Sequence, residues 1–353
     1  MATTRAGTVH YTGPGTRRVA LQRFPRVWRG EAAPEAAAAA RCASLAAAAL
    51  DPSTILDDSE LSLISGGKVW EPDNFDKKFH GDIPLHIALW QSYNIASARL
   101  GLKIGFESVE KMFLNLGIQK AVPKYPSMFI GSFELSPYEA IQAYQTIAAD
   151  GFYTPLRSIR QIKDTKGQLE FSYPYSIEQR IRPEPVALLK FAMQQTFIRG
   201  TARGYPLDKI ESWNAGGKTG TSDDQRDSWF VGFAGELLVL VWLGFDDNRP
   251  TPLTGRTGAF QVWKNFINSI NPVESDKNVL PRIEYVWTDM KDGLLSGKKC
   301  KNSLLVPFIK GTEPKIIPNV RRSCATKFDR SCLLYTSDAA DEGLGVDLGG
   351  RRI

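Results

Sequence analysis

Histidine is scarce in this chain. There are three, His10, His80 and His86, and no Gly-x-Ser-x-Gly string for any of them to serve. A Ser-His-Asp hydrolase of the nucleophile-elbow kind therefore has no sequence support. Cysteine is also rare: Cys42, Cys300, Cys324 and Cys332 form no Cys-x-x-Cys pair, which argues against a zinc site. Cys300 and Cys324 would suit one disulfide in an oxidising compartment, or remain two thiols. Long hydrophobic runs are missing. The densest, Leu237 to Phe245, falls far short of the ~20 residues that span a bilayer. No stretch reads as a secretory signal. A basic face interleaved with aromatics is lacking too, so nucleic acid is not an expected partner.

What is present is a globular composition, 42% hydrophobic and 23% charged, with a mild net charge of +6. Lysine is absent from residues 1–50, where all seven cations are Arg. Apart from the Ala run 32–50, that stretch has no helical or alternating period. We read residues 1–50 as non-native or frame-shifted sequence. From Asp51 the composition changes. Helices are expected over Asp82–Trp90, Ile95–Leu102, 106–116 and Pro185–Ile198. Another should start at the capping box Ser136-Pro137-Tyr138-Glu139. A hairpin is expected over Ser158–Tyr173. Asn214–Thr221 reads as a strand, followed by two long strands, Trp229–Ala234 and Glu236–Phe245. The wholly apolar Leu237–Leu243 suggests a central strand covered on both faces. Gly258–Ile270 closes the unit as a helix. This pattern gives an α+β class, an antiparallel sheet flanked by helices, over residues 51–272. Residues 273–332 read as a loop-like extension. Residues 333–353 resemble translated sequencing-adapter read-through, and their Gly-Leu-Gly is a decoy for a dinucleotide loop.

The sharpest chemical signal is Lys218-Thr219-Gly220-Thr221-Ser222. A phosphate-binding loop is excluded because Ser212 stands where Gly-x-x-x-x-Gly-Lys needs glycine. An edge strand with a cation, hydroxyls and a bare backbone would instead hold a carboxylate and accept an extended peptide. The second signal is Ser92-Tyr93-Asn94, between two helices. Alone it reads as helix punctuation. Paired with the downstream Lys-Thr-Gly it reads as a site.

Taken together, these motifs resemble class A, bifunctional penicillin-binding proteins, which carry Ser-x-x-Lys, then Ser-x-Asn, then Lys-Thr-Gly. Gly131…Leu135-Ser136-Pro137-Tyr138-Glu139, Arg199-Gly200-Thr201-Ala202, Trp229-Phe230-Val231-Gly232 and Pro307-Phe308-Ile309-Lys310-Gly311-Thr312 add to the likeness. The resemblance implies a serine D,D-peptidase fold with its N-terminal part incomplete. It implies peptidoglycan D,D-transpeptidation, no cofactor and no metal. Stem peptides ending in D-Ala-D-Ala and beta-lactams are the implied partners. The implied location of the full-length protein is periplasmic, on the outer face of the inner membrane, with the anchor absent here. By position, Ser92, Asn94 and Lys218 are the catalytic residues. Ser92 would relay protons to the leaving amine with Lys218, and Asn94 would bind the substrate amide. Thr219, Gly220 and Thr221 would bind the substrate carboxylate and backbone.

The nucleophile does not carry over. Three Ser-x-x-Lys strings occur: Ser65–Lys68 in a Gly-Gly turn, Ser108–Lys111 after Ser-x-Asn, and Ser296–Lys299 after Lys-Thr-Gly. Where the motif is expected stands Ser44-Leu45-Ala46-Ala47, without lysine. A non-catalytic module of the same fold, recognising peptidoglycan or a partner, is the alternative. A serine beta-lactamase is disfavoured by the C-terminal stretch.

Overall fold

The computed structural model describes residues 50–275 and 280–314. Strand β1 (Ile55–Asp58) is followed by the hairpin β2 (Leu63–Ser65) and β3 (Lys68–Trp70), then by β4 (Gly81–Pro84), which returns antiparallel to β1. Helices α1 (Leu85–Gln91), α2 (Asn94–Ile104), α3 (Phe106–Asn115) and α4 (Pro137–Ala148) come next. Strand β5 (Phe152–Tyr153), the hairpin β6 (Gln161–Lys163) and β7 (Leu169–Ser172), and β8 (Glu178–Gln179) lead into α5 (Pro183–Ile198) and α6 (Leu207–Ser212). The main sheet is β9 (Gly216–Thr221), β10 (Ser228–Ala234) and β11 (Leu237–Leu243). Helix α7 (Ala259–Ile270), β12 (Ile283–Asp289) and β13 (Ser303–Ile309) complete the described chain.

Local chemistry sets several of these boundaries. The capping box forms as the sequence predicts: Ser136 Oγ accepts from the Glu139 N–H at 3.2 Å, and Glu139 Oε2 accepts from the Ser136 N–H at 2.7 Å. Pro137 occupies the first helical position, where its missing N–H costs nothing. Helix α3 is followed by Gly117 at φ 95°, a conformation that excludes most side chains.

The main sheet runs β11-β10-β9, entirely antiparallel. Its two faces divide the apolar residues of β11. Leu238, Leu240 and Trp242 pack on a core that includes Ala143, Tyr144 and Ile147 of α4 and Leu189 and Met193 of α5. Leu237, Val239 and Val241 pack on Phe197, Phe230, Phe260 and Trp263. Helices therefore cover both sides, which is why β11 needs no alternation. The sequence reading is corrected in one respect. β11 is an edge strand among the described residues, not a central one, and each of its seven residues is only half-buried.

The C-terminal stretch needs a second correction. β12 and β13 form an antiparallel pair in full register from Ile283↔Ile309 to Asp289↔Ser303, where a loop-like extension was expected. Val286, Leu304, Val306 and Phe308 bury against Trp90 at the end of α1. Cys300 is disulfide-bonded. Its expected partner Cys324 lies outside the described residues, as do residues 1–49 and 333–353 of the segments set apart by composition.

Candidate functional site

Helix α1 ends at Ser92, which sits in the left-handed region at φ 64°, ψ 40°. The Ser92 and Tyr93 N–H groups turn back onto the Leu89 and Ala88 carbonyls, at 3.2 and 2.9 Å. Helix α2 starts two residues later at Asn94. The predicted interruption is thus a tight helix-to-helix link that aims the Ser92 side chain sideways.

It aims at the main sheet. Lys218, on β9, is 4% exposed, and its Nζ donates to Ser92 Oγ at 2.9 Å and to the Thr219 carbonyl at 2.9 Å. Strand β9 is a sheet edge among the described residues, with β10 on its other side. Gly217 lets that edge lie close to β10, since a Cβ there would meet the Phe230 ring and the Val231 carbonyl. Thr219 and Thr221 remain partly exposed, and Gly220 between them is buried. Thr221 Oγ1 accepts from the Gly255 N–H at 2.9 Å. The residues predicted from the motifs therefore lie on two elements that meet: Ser92 and Asn94 on the helical link, Lys218, Thr219, Gly220 and Thr221 on the facing strand. Asn94 turns its amide group to the Asp73 carbonyl, at 2.8 Å.

Thr201 was missed as a site residue. Its hydroxyl lies 2.6 Å from Thr219 Oγ1, and its N–H donates to the Trp90 carbonyl at 3.1 Å. Gly200 makes this possible, because a Cβ there would land on the Trp90 carbonyl. Nothing in the spacing of the Arg199-Gly200-Thr201-Ala202 string tells that it fastens the end of α1 to β9.

The three Ser-x-x-Lys strings stay apart from this cluster in character. Ser65 and Lys68 face each other across the Gly66-Gly67 turn, both glycines at positive φ, with no hydrogen bond between their side chains. Ser108 and Lys111 are both exposed on α3. Ser296 follows β12 in the C-terminal pair. Ser44 lies outside the described residues. Among the described residues, no group of three or more His, Cys, Asp or Glu is placed to hold a metal ion. No helix there is long and apolar enough to cross a membrane.

A Lys-Thr-Gly edge strand beside a serine held between two helices, on a sheet sandwiched by helices, is the architecture of a penicillin-binding fold. The comparisons agree. The family model "Penicillin binding protein transpeptidase domain" matches residues 38–241, beginning inside the segment set apart by composition. The chain belongs to this family. It is 38% identical over 237 residues to penicillin-binding protein 1B of Vibrio cholerae, covering 67% of this chain and 30% of the relative. It is 40% identical over 209 residues to penicillin-binding protein 1B of Haemophilus influenzae, covering 59% and 27%. The chain thus spans less than a third of the length of these relatives. Among solved structures, penicillin-binding protein 1A from Haemophilus influenzae aligns with TM-score 0.71 at 23% identity, over 81% of this chain and 49% of that one. The PonA1 protein from Mycobacterium tuberculosis in complex with penicillin V aligns with TM-score 0.58 at 21% identity, over 70% of each. These establish the α+β penicillin-binding fold. The match to relatives named 1A and 1B agrees with a class A transpeptidase-domain fragment.

Proposed function

We propose that this chain carries the substrate-holding half of a peptidoglycan D,D-transpeptidase site. In this reading it binds peptides ending in D-Ala-D-Ala, and beta-lactams that mimic them, without forming an acyl-enzyme. The observation that carries the proposal is the Lys218 Nζ to Ser92 Oγ contact of 2.9 Å, made between a helical link and an edge strand 126 residues apart. A buried ammonium supplies positive potential for a terminal carboxylate. The edge of β9 offers backbone groups to an extended peptide. Ser92 Oγ, held by the ammonium, stands where a proton can pass to a departing amine. Thr219 and Thr221 add hydroxyl donors, and Asn94 a side-chain amide. The full-length polypeptide would work on the outer face of the inner membrane.

Acylation requires one more part, a nucleophilic serine distinct from Ser92 with its own base at hydrogen-bond distance. No Ser-x-x-Lys string stands upstream of Ser92 except the one spanning the Gly66-Gly67 turn. In this reading that string is not a nucleophile, and the described residues bind without chemistry. Calorimetry with an acetylated Lys-D-Ala-D-Ala peptide tests the reading. Binding that falls at least tenfold in Lys218→Met supports it. Equal affinity in both proteins, or no binding by the unaltered chain, rejects it.

A further inference from the structure

Ser92 occupies the left-handed backbone region, which strains a non-glycine residue, so its surroundings must enforce it. Helix α1 holds it from behind. The groups in front come from the end of β1 and the segment that joins it to β4. Asn74 Oδ1 accepts from the Asn94 N–H at 2.7 Å and the Ile95 N–H at 3.4 Å. Asp58 Oδ1 accepts from the Ala96 N–H at 3.0 Å. The first turn of α2 is thus capped by side chains from elsewhere in the chain, and its own N-cap residue, Tyr93, supplies none. A carboxylate at this end also suits the helix dipole.

These caps are themselves fixed. Asp58 is fully buried, and its Oδ2 accepts from Asn74 Nδ2 at 2.6 Å and meets His80 Nδ1 at 2.7 Å. The His80 N–H also donates to it, at 3.3 Å. His80 Nε2 meets Asp76 Oδ2 at 3.1 Å. The His80 ring then stacks on Tyr93, centroids 3.9 Å apart and 19° from parallel. Burial, with the Asp76 and Asp58 charges, raises the Tyr93 hydroxyl above its usual range. Every residue of Ser92-Tyr93-Asn94 is therefore gripped: Ser92 by α1 and Lys218, Tyr93 by His80, Asn94 by Asn74 and the Asp73 carbonyl.

We propose that Asp58, Asn74 and His80 are positioning residues that hold the Ser92–Asn94 link in register with Lys218. They touch no reacting atom. The inference rests on the proposed role of Ser92 and Lys218, and it names the device that keeps an unfavourable serine conformation in place. Asn74 and Asp58 hold the link by capping α2, and His80 holds it by clamping the ring between Ser92 and Asn94.

The test reads Lys218 itself. Protein carrying 13C-lysine gives a Lys218 Cε signal, assigned by its loss in Lys218→Arg. Ser92→Ala shows how that signal moves when the hydroxyl contact is gone. His80→Gln and Asp58→Asn should each move it in the same direction, while keeping a cooperative thermal transition. Both should weaken the acetylated Lys-D-Ala-D-Ala peptide at least tenfold. Asp150→Asn, which breaks the 2.7 Å pair with Lys190, should leave the signal unmoved. If Asp58→Asn does not fold, His80→Gln decides, because that ring is at the edge of the network with its side chain 21% exposed. A folded His80→Gln protein whose Lys218 signal coincides with the unaltered one overturns the proposal. Failure of the unaltered chain to bind peptide would instead overturn the proposed function, and the Lys218 signal would still decide the positioning.

Discussion

Lys218 Nζ donates to Ser92 Oγ at 2.9 Å, with the lysine almost wholly buried. A hydrogen bond from a charged donor is worth roughly 1.5–3 kcal/mol. Ser92→Ala removes one acceptor from the ammonium, whereas Lys218→Met removes the charge altogether. Peptide affinity should therefore fall further in Lys218→Met than in Ser92→Ala. Fluorescence titration of both variants checks the order, and a reversed order would show that the ammonium is not the main carboxylate anchor.

His86 makes stability depend on pH. It is buried on α1, with Nδ1 2.6 Å from the Pro52 carbonyl and no hydrogen bond at Nε2. Burial pushes its pKa down to about 4 from 6.5, against the smaller opposing effect of the Pro52 carbonyl. The folded state holds the ring neutral while the unfolded chain protonates it. This contribution is whole above pH 6.5 and fades as pH falls toward 4. About 3 kcal/mol of stability should be lost across that window. Urea midpoints at pH 7 and pH 4.5, in the parent and in His86→Gln, measure it. A parent slope no steeper than that of the variant would refute the assignment.

Phe197 is fully buried, with ring centroids 5.8 Å from Phe230, 5.8 Å from Phe260 and 5.5 Å from Trp263. These rings lock α5 and α7 onto the sheet face below Val239 and Val241. Phe197→Ala should cost about 3–5 kcal/mol. A denaturant midpoint shifted by an equivalent of under 1 kcal/mol would mean the cluster collapses around the gap.

Ser136→Ala removes one half of the α4 capping box and should cost about 1 kcal/mol. Helix α4 lines the core on which Leu238 and Leu240 pack, so the loss should appear in the global transition. Hydrogen exchange at the Glu139 amide, now without its acceptor, should speed up by a larger factor than elsewhere in α4.

Much of the fold was readable because local signals agreed with the tertiary outcome. Ser136-x-x-Glu139, the Gly-Gly turn at residues 66–67 and the helical spacing of Val109, Met112 and Phe113 each act within a few residues. β11 misled because an apolar run reports covered faces, and α4, α5 and α7 cover both. It says nothing of strands beyond its edge. β13 was missed because Pro307 breaks the strand signal, although in the structure Pro307 lies opposite Tyr285 in a two-stranded pair. In the site, Ser92 and Lys218 were legible only through their motifs. Thr201, Asp58, Asn74 and His80 were not, because their function lies in contacts across 13 to 111 residues that no spacing rule encodes.

The function proposed for this chain is a transpeptidase-family site that would hold substrate without being acylated. Intact-mass spectrometry of the chain after incubation with a labelled penicillin tests it most directly. The account predicts an unchanged mass, with no labelled band on a denaturing gel. A gain of one penicillin, mapped to Ser44, Ser65, Ser92 or Ser108, would contradict it.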